Sequence, residues 1–181
     1  IKGILFDKDG TLLEFSRTRH QIMTLVFDGI DQREDIDGLK RISGYLDKTF
    51  SKDSIIQYLS TRSIIENWMT IISYMSKESL FQLFENASKD KGIKFNCLDD
   101  VVDSLKYLYE KGYVLGIATA DTLESTQNSL KQTGLDQYFS YLGTDDGRLK
   151  PKPSSEMTQK FKAKFDLSLD EILIVGDSLN D

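Results

Sequence analysis

The chain has 181 residues with 39% hydrophobic side chains, 10 Phe and 8 Tyr, which suits one domain, alone or with a sizeable insertion, and argues against a second full-sized one. With only 2 Pro and 12 Gly, low complexity and long disorder are poor readings. Lys and Arg number 23 against 29 Asp and Glu, a net charge of -6 that speaks against nucleic acid, and the single Cys97 can form neither an internal disulfide nor a Cys-based zinc site.

Cys97 therefore fits core packing in a reducing compartment. No apolar run approaches the roughly 18–20 residues of a membrane span, and residues 1–6 lack the plan of a signal peptide, so the expected location is cytoplasmic, away from membranes. The chain begins without Met and stops at Asp181 directly after a motif, so further residues are expected at both ends.

In chain order, the first apolar run, 3–6, reads as a buried strand. A helical block follows. Ile22, Leu25, Val26 and Ile30 mark one helix; Ile55, Ile56, Leu59, Ile64, Ile65, Trp68, Met69 and Ile72 mark one long or two broken helices; Leu80, Phe81, Leu83, Phe84 and Ala87 mark another. No strand is expected there, and the Met and aromatic stripe reads as core. Leu98, Val101, Val102, Leu105, Leu108 and Tyr109 then form a helical stripe ended by Gly112. Runs 113–118, 138–142 and 171–175 read as buried strands separated by helices over 123–133 and 154–165. Strand alternating with helix predicts a parallel sheet covered on both faces, an α/β core of Rossmann-like form. The core is assigned to 1–14 plus 96–181, with the all-helical insert at 15–95.

The strand ends carry the chemistry. In open α/β sheets ligands bind at the carboxyl ends of strands. The first strand ends in Asp7-Lys8-Asp9-Gly10-Thr11, the second in Thr119 and Asp121, the third leads to Lys150-Pro151-Lys152-Pro153, and the fourth ends in Gly176-Asp177 and Asp181. Each alone has a plain reading as turn or loop; their joint occurrence along one rim does not. Two carboxylates about 4 Å apart repel by about 4 kcal/mol at an effective dielectric near 20, so Asp7, Asp9 and Asp177 call for a cation. Oxygen ligands without a His or Cys cluster favour Mg2+ over zinc or copper. A lone Thr and Lys beside such a site suit a phosphoryl group, and Gly10 allows close backbone approach. No Gly-x-x-x-x-Gly-Lys phosphate loop is present, so nucleotide binding by that route is unsupported.

These four ordered segments resemble the motifs of the haloacid dehalogenase-like (HAD) hydrolase superfamily, and in particular its phosphoglycolate phosphatase-like members, whose helical cap lies between the first and second motifs. The resemblance implies a Mg2+-dependent phosphatase acting on a small-molecule phosphate ester, phosphoglycolate the leading candidate. Asp7 would be the nucleophile that forms an aspartyl-phosphate, and Asp9 the general acid and base. Thr119, Lys150 and backbone N–H groups near Asp9 and Gly10 would hold the phosphoryl oxygens. Mg2+ would be bound by Asp7, the Asp9 carbonyl and Asp177, with Asp181 supporting. The chain departs from the family at Lys8, often apolar there, and at Glu14, often Asp.

Three other readings are weighed. Dehalogenation is disfavoured by Asp9, since halide needs no acid. A phosphomutase of the β-phosphoglucomutase type shares all four motifs. A non-catalytic phosphate-binding regulator of the receiver kind would carry its phospho-accepting Asp on a middle strand without a large insert. Substrate choice is expected to lie with insert side chains such as Arg17, Arg19, His20, Tyr45 or Lys48.

Overall fold

A computed structural model describes residues 1–30, 33–46, 49–51, 53–178 and 181. In chain order these form β1 (Gly3–Phe6), α1 (Phe15–Asp28), α2 (Arg33–Ile42), β2 (Tyr45–Leu46), β3 (Thr49–Phe50), α3 (Ile55–Tyr58), α4 (Thr61–Trp68) and α5 (Lys77–Ser88). There follow α6 (Val101–Glu110), β4 (Val114–Ala118), α7 (Leu123–Thr133), β5 (Tyr141–Gly143), α8 (Glu156–Phe165) and β6 (Ile172–Val175). The chain divides into two compact units, Ile1–Phe15 with Lys94–Asp181, and Ser16–Ile93.

In the first unit, β1, β4, β5 and β6 form a sheet of order β5-β4-β1-β6, and every neighbouring pair is parallel. Helices between successive strands supply the crossovers that parallel pairing requires. Leu5 and Ile117 are fully buried and Leu115 nearly so, as short continuous apolar runs demand. One helix sets the packing. Phe161 of α8 lies in a buried cluster with Leu5, Ala118, Met157 and Leu167. A Cβ at Gly3 or Gly116 would run into the Phe161 ring, so these two glycines let the aromatic side chain lie directly on β1 and β4.

Three expectations for this unit shift. The third strand lies at Tyr141–Gly143 rather than 138–142, because Asp136–Tyr138 closes as a 3-10 turn under buried Leu135. Leu173 and Ile174 of β6 are 44% and 46% exposed where buried residues are expected, β1 being the one strand paired with β6 among the described residues. On α6 only Leu105 is deeply buried, while Val102 and Tyr109 face solvent.

The second unit is helical with one short addition. Tyr45–Leu46 and Thr49–Phe50 pair antiparallel, contrary to the expectation of no strand; two-residue strands are too short to show alternation, and the paired Tyr45 and Phe50 rings hold them at 5.1 Å. α2 was not marked either, because its polar sequence buries little beyond Leu39. The stretch from Ile55 breaks into α3 and α4, the second capped by Ser60, whose hydroxyl accepts from the Ser63 N–H at 3.3 Å. Trp68 is fully buried, stacks on Phe27, meets the Phe84 ring at a tilt of 42°, and donates its indole N–H to Ser43 Oγ at 2.7 Å. The aromatic stripe is thus core, with its polar atom satisfied.

Phe161→Ala is expected to destabilise the first unit by about 3–5 kcal/mol, because a fully buried ring against two glycines leaves a cavity that cannot collapse. Urea denaturation followed by circular dichroism measures this, and a loss below about 1 kcal/mol would contradict the packing.

Candidate active site

Strand register places the candidate residues at one level. Phe6 pairs with Ile117 on one side and Val175 on the other, and Ala118 pairs with Gly143. The ladder runs one step further: the Asp7 N–H donates to the Val175 carbonyl at 2.8 Å and the Thr119 N–H to the Gly143 carbonyl at 2.9 Å. Asp7, Thr119 and Asp177 therefore leave their strands at the same carboxyl end.

Carboxylate oxygens of Asp7, Asp177 and Asp181 lie within 4.8 Å of one another. The Lys152 ammonium sits 2.5 Å from both Asp7 and Asp181. Burial pushes the Asp7 carboxyl up to about 6, with Asp9 and Asp181 adding to the rise and Lys152 opposing it. For Asp181, burial also works upward, but hydrogen bonds from Lys152 and from the Ser178 N–H, the latter at 2.8 Å, hold it below its ordinary value. Three carboxylates converging without nitrogen or sulfur donors make a hard, all-oxygen set of the kind that suits Mg2+. The only histidine, His20, lies in the other unit, where its Nδ1 is hydrogen-bonded to the Tyr45 hydroxyl.

Lysine placement differs from the expectation. Lys150 is exposed, and its backbone N–H, not its ammonium, is engaged, donating to Glu156 at 3.1 Å. Lys152 reaches the acidic cluster instead. Two Lys-Pro pairs stand two residues apart, and it is the second that brings its ammonium to Asp7. Leu149, packed against the core cluster, and Met157 of α8, buried in it, anchor the two ends of the segment that carries both lysines. The repeated Lys-Pro was visible in the sequence; the choice between the two was not.

Asp9 is likewise elsewhere than among the clustered carboxylates. Its two oxygens lie 2.9 and 2.8 Å from the Lys8 ammonium, which also meets Asp121 at 3.0 Å. Lys8 is only 1% exposed. Burial lowers the proton affinity of its amine, but Asp121 and Asp9 more than offset that and hold it well above its ordinary value. Thr119 is buried, and its Oγ1 accepts from the Asp121 N–H at 3.2 Å.

Gly10 has φ of +91°, and a Cβ there would strike the Asp177 carboxylate. Its glycine thus serves the close approach of Asp177. The Gly10 N–H is given to the Leu13 carbonyl at 2.9 Å, so it is not among the donors turned toward a phosphoryl group here. The neighbouring Thr11 Oγ1 is shielded from solvent and makes no hydrogen bond among the described residues. Glu14 and Asn96 hold the two chain crossings side by side, the Glu14 N–H donating to the Asn96 carbonyl at 2.9 Å. Cys97 is half-buried and free. Of the substrate-selecting candidates in the helical unit, Tyr45 is 4% exposed and stacked on Phe27, which makes it core; Arg17 is exposed; Lys48 lies outside the described residues.

A family model described as haloacid dehalogenase-like hydrolase matches residues 4–181, and the chain belongs to that family. It is similar to a pyrophosphatase PpaX from Bacillus pumilus, 25% identical over all of this chain and 76% of the relative. Among solved structures it resembles CbbY from Rhodobacter sphaeroides in complex with phosphate, with a TM-score of 0.76 and 17% identity over 99% of this chain and 79% of that one. It also resembles a structure described as a predicted phosphoglycolate phosphatase from Haemophilus somnus, with a TM-score of 0.72 and 19% identity over 100% and 79%. The parallel sheet with an inserted helical unit is thus the fold of a HAD hydrolase with a helical cap.

Gly10→Ala is expected to cost at least about 1 kcal/mol from the positive φ alone. If the acidic cluster holds Mg2+, the same change should also weaken its binding at least several-fold, because the methyl group displaces Asp177. Titration calorimetry with Mg2+ measures the second effect; unchanged affinity would show that Asp177 takes no part in the cluster.

Proposed function

We propose that this HAD hydrolase is a Mg2+-dependent phosphatase that hydrolyses a small-molecule phosphomonoester through an aspartyl-phosphate on Asp7. One observation carries the reading: a buried Asp7 at the carboxyl end of β1, grouped with two further carboxylates and contacted by the Lys152 ammonium. Spread phosphoryl charge needs positioning and electrostatic stabilisation, and the cluster supplies both.

In this mechanism an Asp7 oxygen attacks phosphorus in line while the ester P–O bond breaks. The Asp9 carboxyl gives its proton to the departing oxygen. It then takes one from the water that hydrolyses the acyl phosphate, which frees inorganic phosphate and restores Asp7. Thr119 and Lys152 hold phosphoryl oxygens, Lys152 in the role that the sequence assigned to Lys150. Mg2+ held by Asp7, Asp177 and Asp181 would neutralise charge on the nucleophile and the phosphoryl oxygens.

Phosphoglycolate is the first substrate to test, by resemblance to the phosphoglycolate phosphatase-like members. Inorganic pyrophosphate is the second, because relatives matched over the whole chain are named pyrophosphatases. Phosphate release from a panel of phosphate esters and pyrophosphate, with Mg2+ and with excess EDTA, is the experiment; metal-dependent turnover of at least one small ester is expected. No release from any of them would overturn the assignment.

Two variants locate the chemistry. Asp7→Asn is expected to abolish turnover and to keep the circular dichroism spectrum of the parent, since it removes the nucleophile at constant shape. Lys152→Ala should lower kcat by on the order of 10²-fold or more, as loss of a single transition-state contact does elsewhere, whereas Lys150→Ala should stay within about threefold. The reverse order would return the role to Lys150.

A further inference from the structure

Lys8 is a buried ammonium whose partners are both carboxylates, on two different strand ends. Its Nζ lies 2.9 and 2.8 Å from the two oxygens of Asp9 and 3.0 Å from Asp121, while side-chain exposure is 1% for Lys8, 24% for Asp9 and 13% for Asp121. Asp121 is itself anchored: its N–H donates to Thr119 Oγ1 at 3.2 Å, its Oδ1 accepts from the Thr122 N–H at 2.8 Å, and its carbonyl accepts from the Asp145 N–H at 2.9 Å. Thr122 in turn caps α7. The turn after β1 is thereby fastened through one ammonium to the turn after β4.

We infer that Lys8 is a positioning residue for Asp9, fixing the orientation of its carboxyl group by gripping both oxygens and referring them to the Asp121 anchor. The inference rests on the phosphatase reading, in which Asp9 delivers the proton to the leaving oxygen. Proton transfer requires a set approach of one carboxyl oxygen to the departing atom, and an Asp left free to turn about its last torsion spends much of its time misaligned. A purely structural salt bridge has a different signature. Buried ion pairs are often replaceable by apolar side chains of similar volume without loss of stability, so a double apolar replacement separates the two roles.

The consequence is selective. Cleavage of an alkyl phosphate expels a strongly basic alkoxide and depends on the Asp9 proton, whereas p-nitrophenyl phosphate expels a stable phenolate that leaves unassisted. The test compares K8M/D121L with the parent on both esters in Mg2+, recording melting temperature and kcat/KM, which covers only the steps up to departure of the leaving group and so leaves out the water attack common to both esters. A melting temperature near the parent's is expected, with kcat/KM on the alkyl ester lowered by about 10²-fold or more, and kcat/KM on p-nitrophenyl phosphate lowered by less than about tenfold. On an Asp9→Asn background the same double replacement should add little, because the acid that Lys8 orients is gone. Equal losses on both esters, no loss on either, or a full additional loss on the Asp9→Asn background would each overturn the inference. Should K8M/D121L melt early, Asp121→Asn, which keeps Lys8 and weakens its anchor, carries the same comparison, with a smaller loss confined to the alkyl ester expected and a uniform loss contradicting it. A parent that hydrolyses neither ester would sink the phosphatase reading itself, a result distinguishable from all of these.

Discussion

Negative charge crowded at the carboxyl end of one sheet is the constraint around which this molecule is organised. Asp7, Asp9, Asp121, Asp177 and Asp181 all leave strand ends or the turns just beyond them, against the two ammonium groups that touch them, Lys8 and Lys152. Like charges a few ångströms apart in a partly dehydrated setting repel by several kcal/mol, so five carboxylates cannot stay together on loop geometry alone. The lysines split the group in two. Lys8 takes Asp9 and Asp121; Lys152 takes Asp7 and Asp181 and leaves Asp177 beside them. An excess of carboxylate over ammonium remains in the second set, a charge balance that suits the divalent cation of the proposed mechanism.

In the proposed mechanism this division also separates two chemical tasks. A nucleophile must be ionised and within reach of phosphorus, whereas a proton donor must face the opposite, leaving side. Asp7 and Asp9 are two residues apart and would share one environment if the turn were all that held them. Different cations hold them instead, so neighbours in sequence are held in different surroundings. The sheet makes this possible by its stiffness: Phe161 pressed onto Gly3 and Gly116 locks β1 against β4, and the register of those strands sets Lys8 level with Thr119.

The helical unit follows another logic. Its interior is a chain of aromatic rings, Tyr45 on Phe27, Phe27 on Trp68 and Trp68 on Phe84, with buried polar atoms satisfied locally through Ser43 and Ser54. Such a core stands on its own contacts. Tyr45, a substrate-selecting candidate by its place in the insert, is absorbed into that core, and the only histidine is tied to its hydroxyl.

The sequence by itself determined the alternation that makes a parallel sheet, the helical insert between the first two motifs, and the placing of Asp7, Asp9, Thr119, Asp177 and Asp181 at strand ends, because apolar runs and their periods are local properties of the chain. It also exposed the acidic excess that calls for a hard cation. Tertiary structure alone chose Lys152 over Lys150, made Lys8 the partner of Asp9 and Asp121, and turned the Gly10 N–H toward Leu13. The reason is one of distance: a side chain finds its partner across tens of residues of intervening chain, and which of two lysines arrives is fixed by how a helix and its loop seat on the sheet, a fact that no spacing of letters contains.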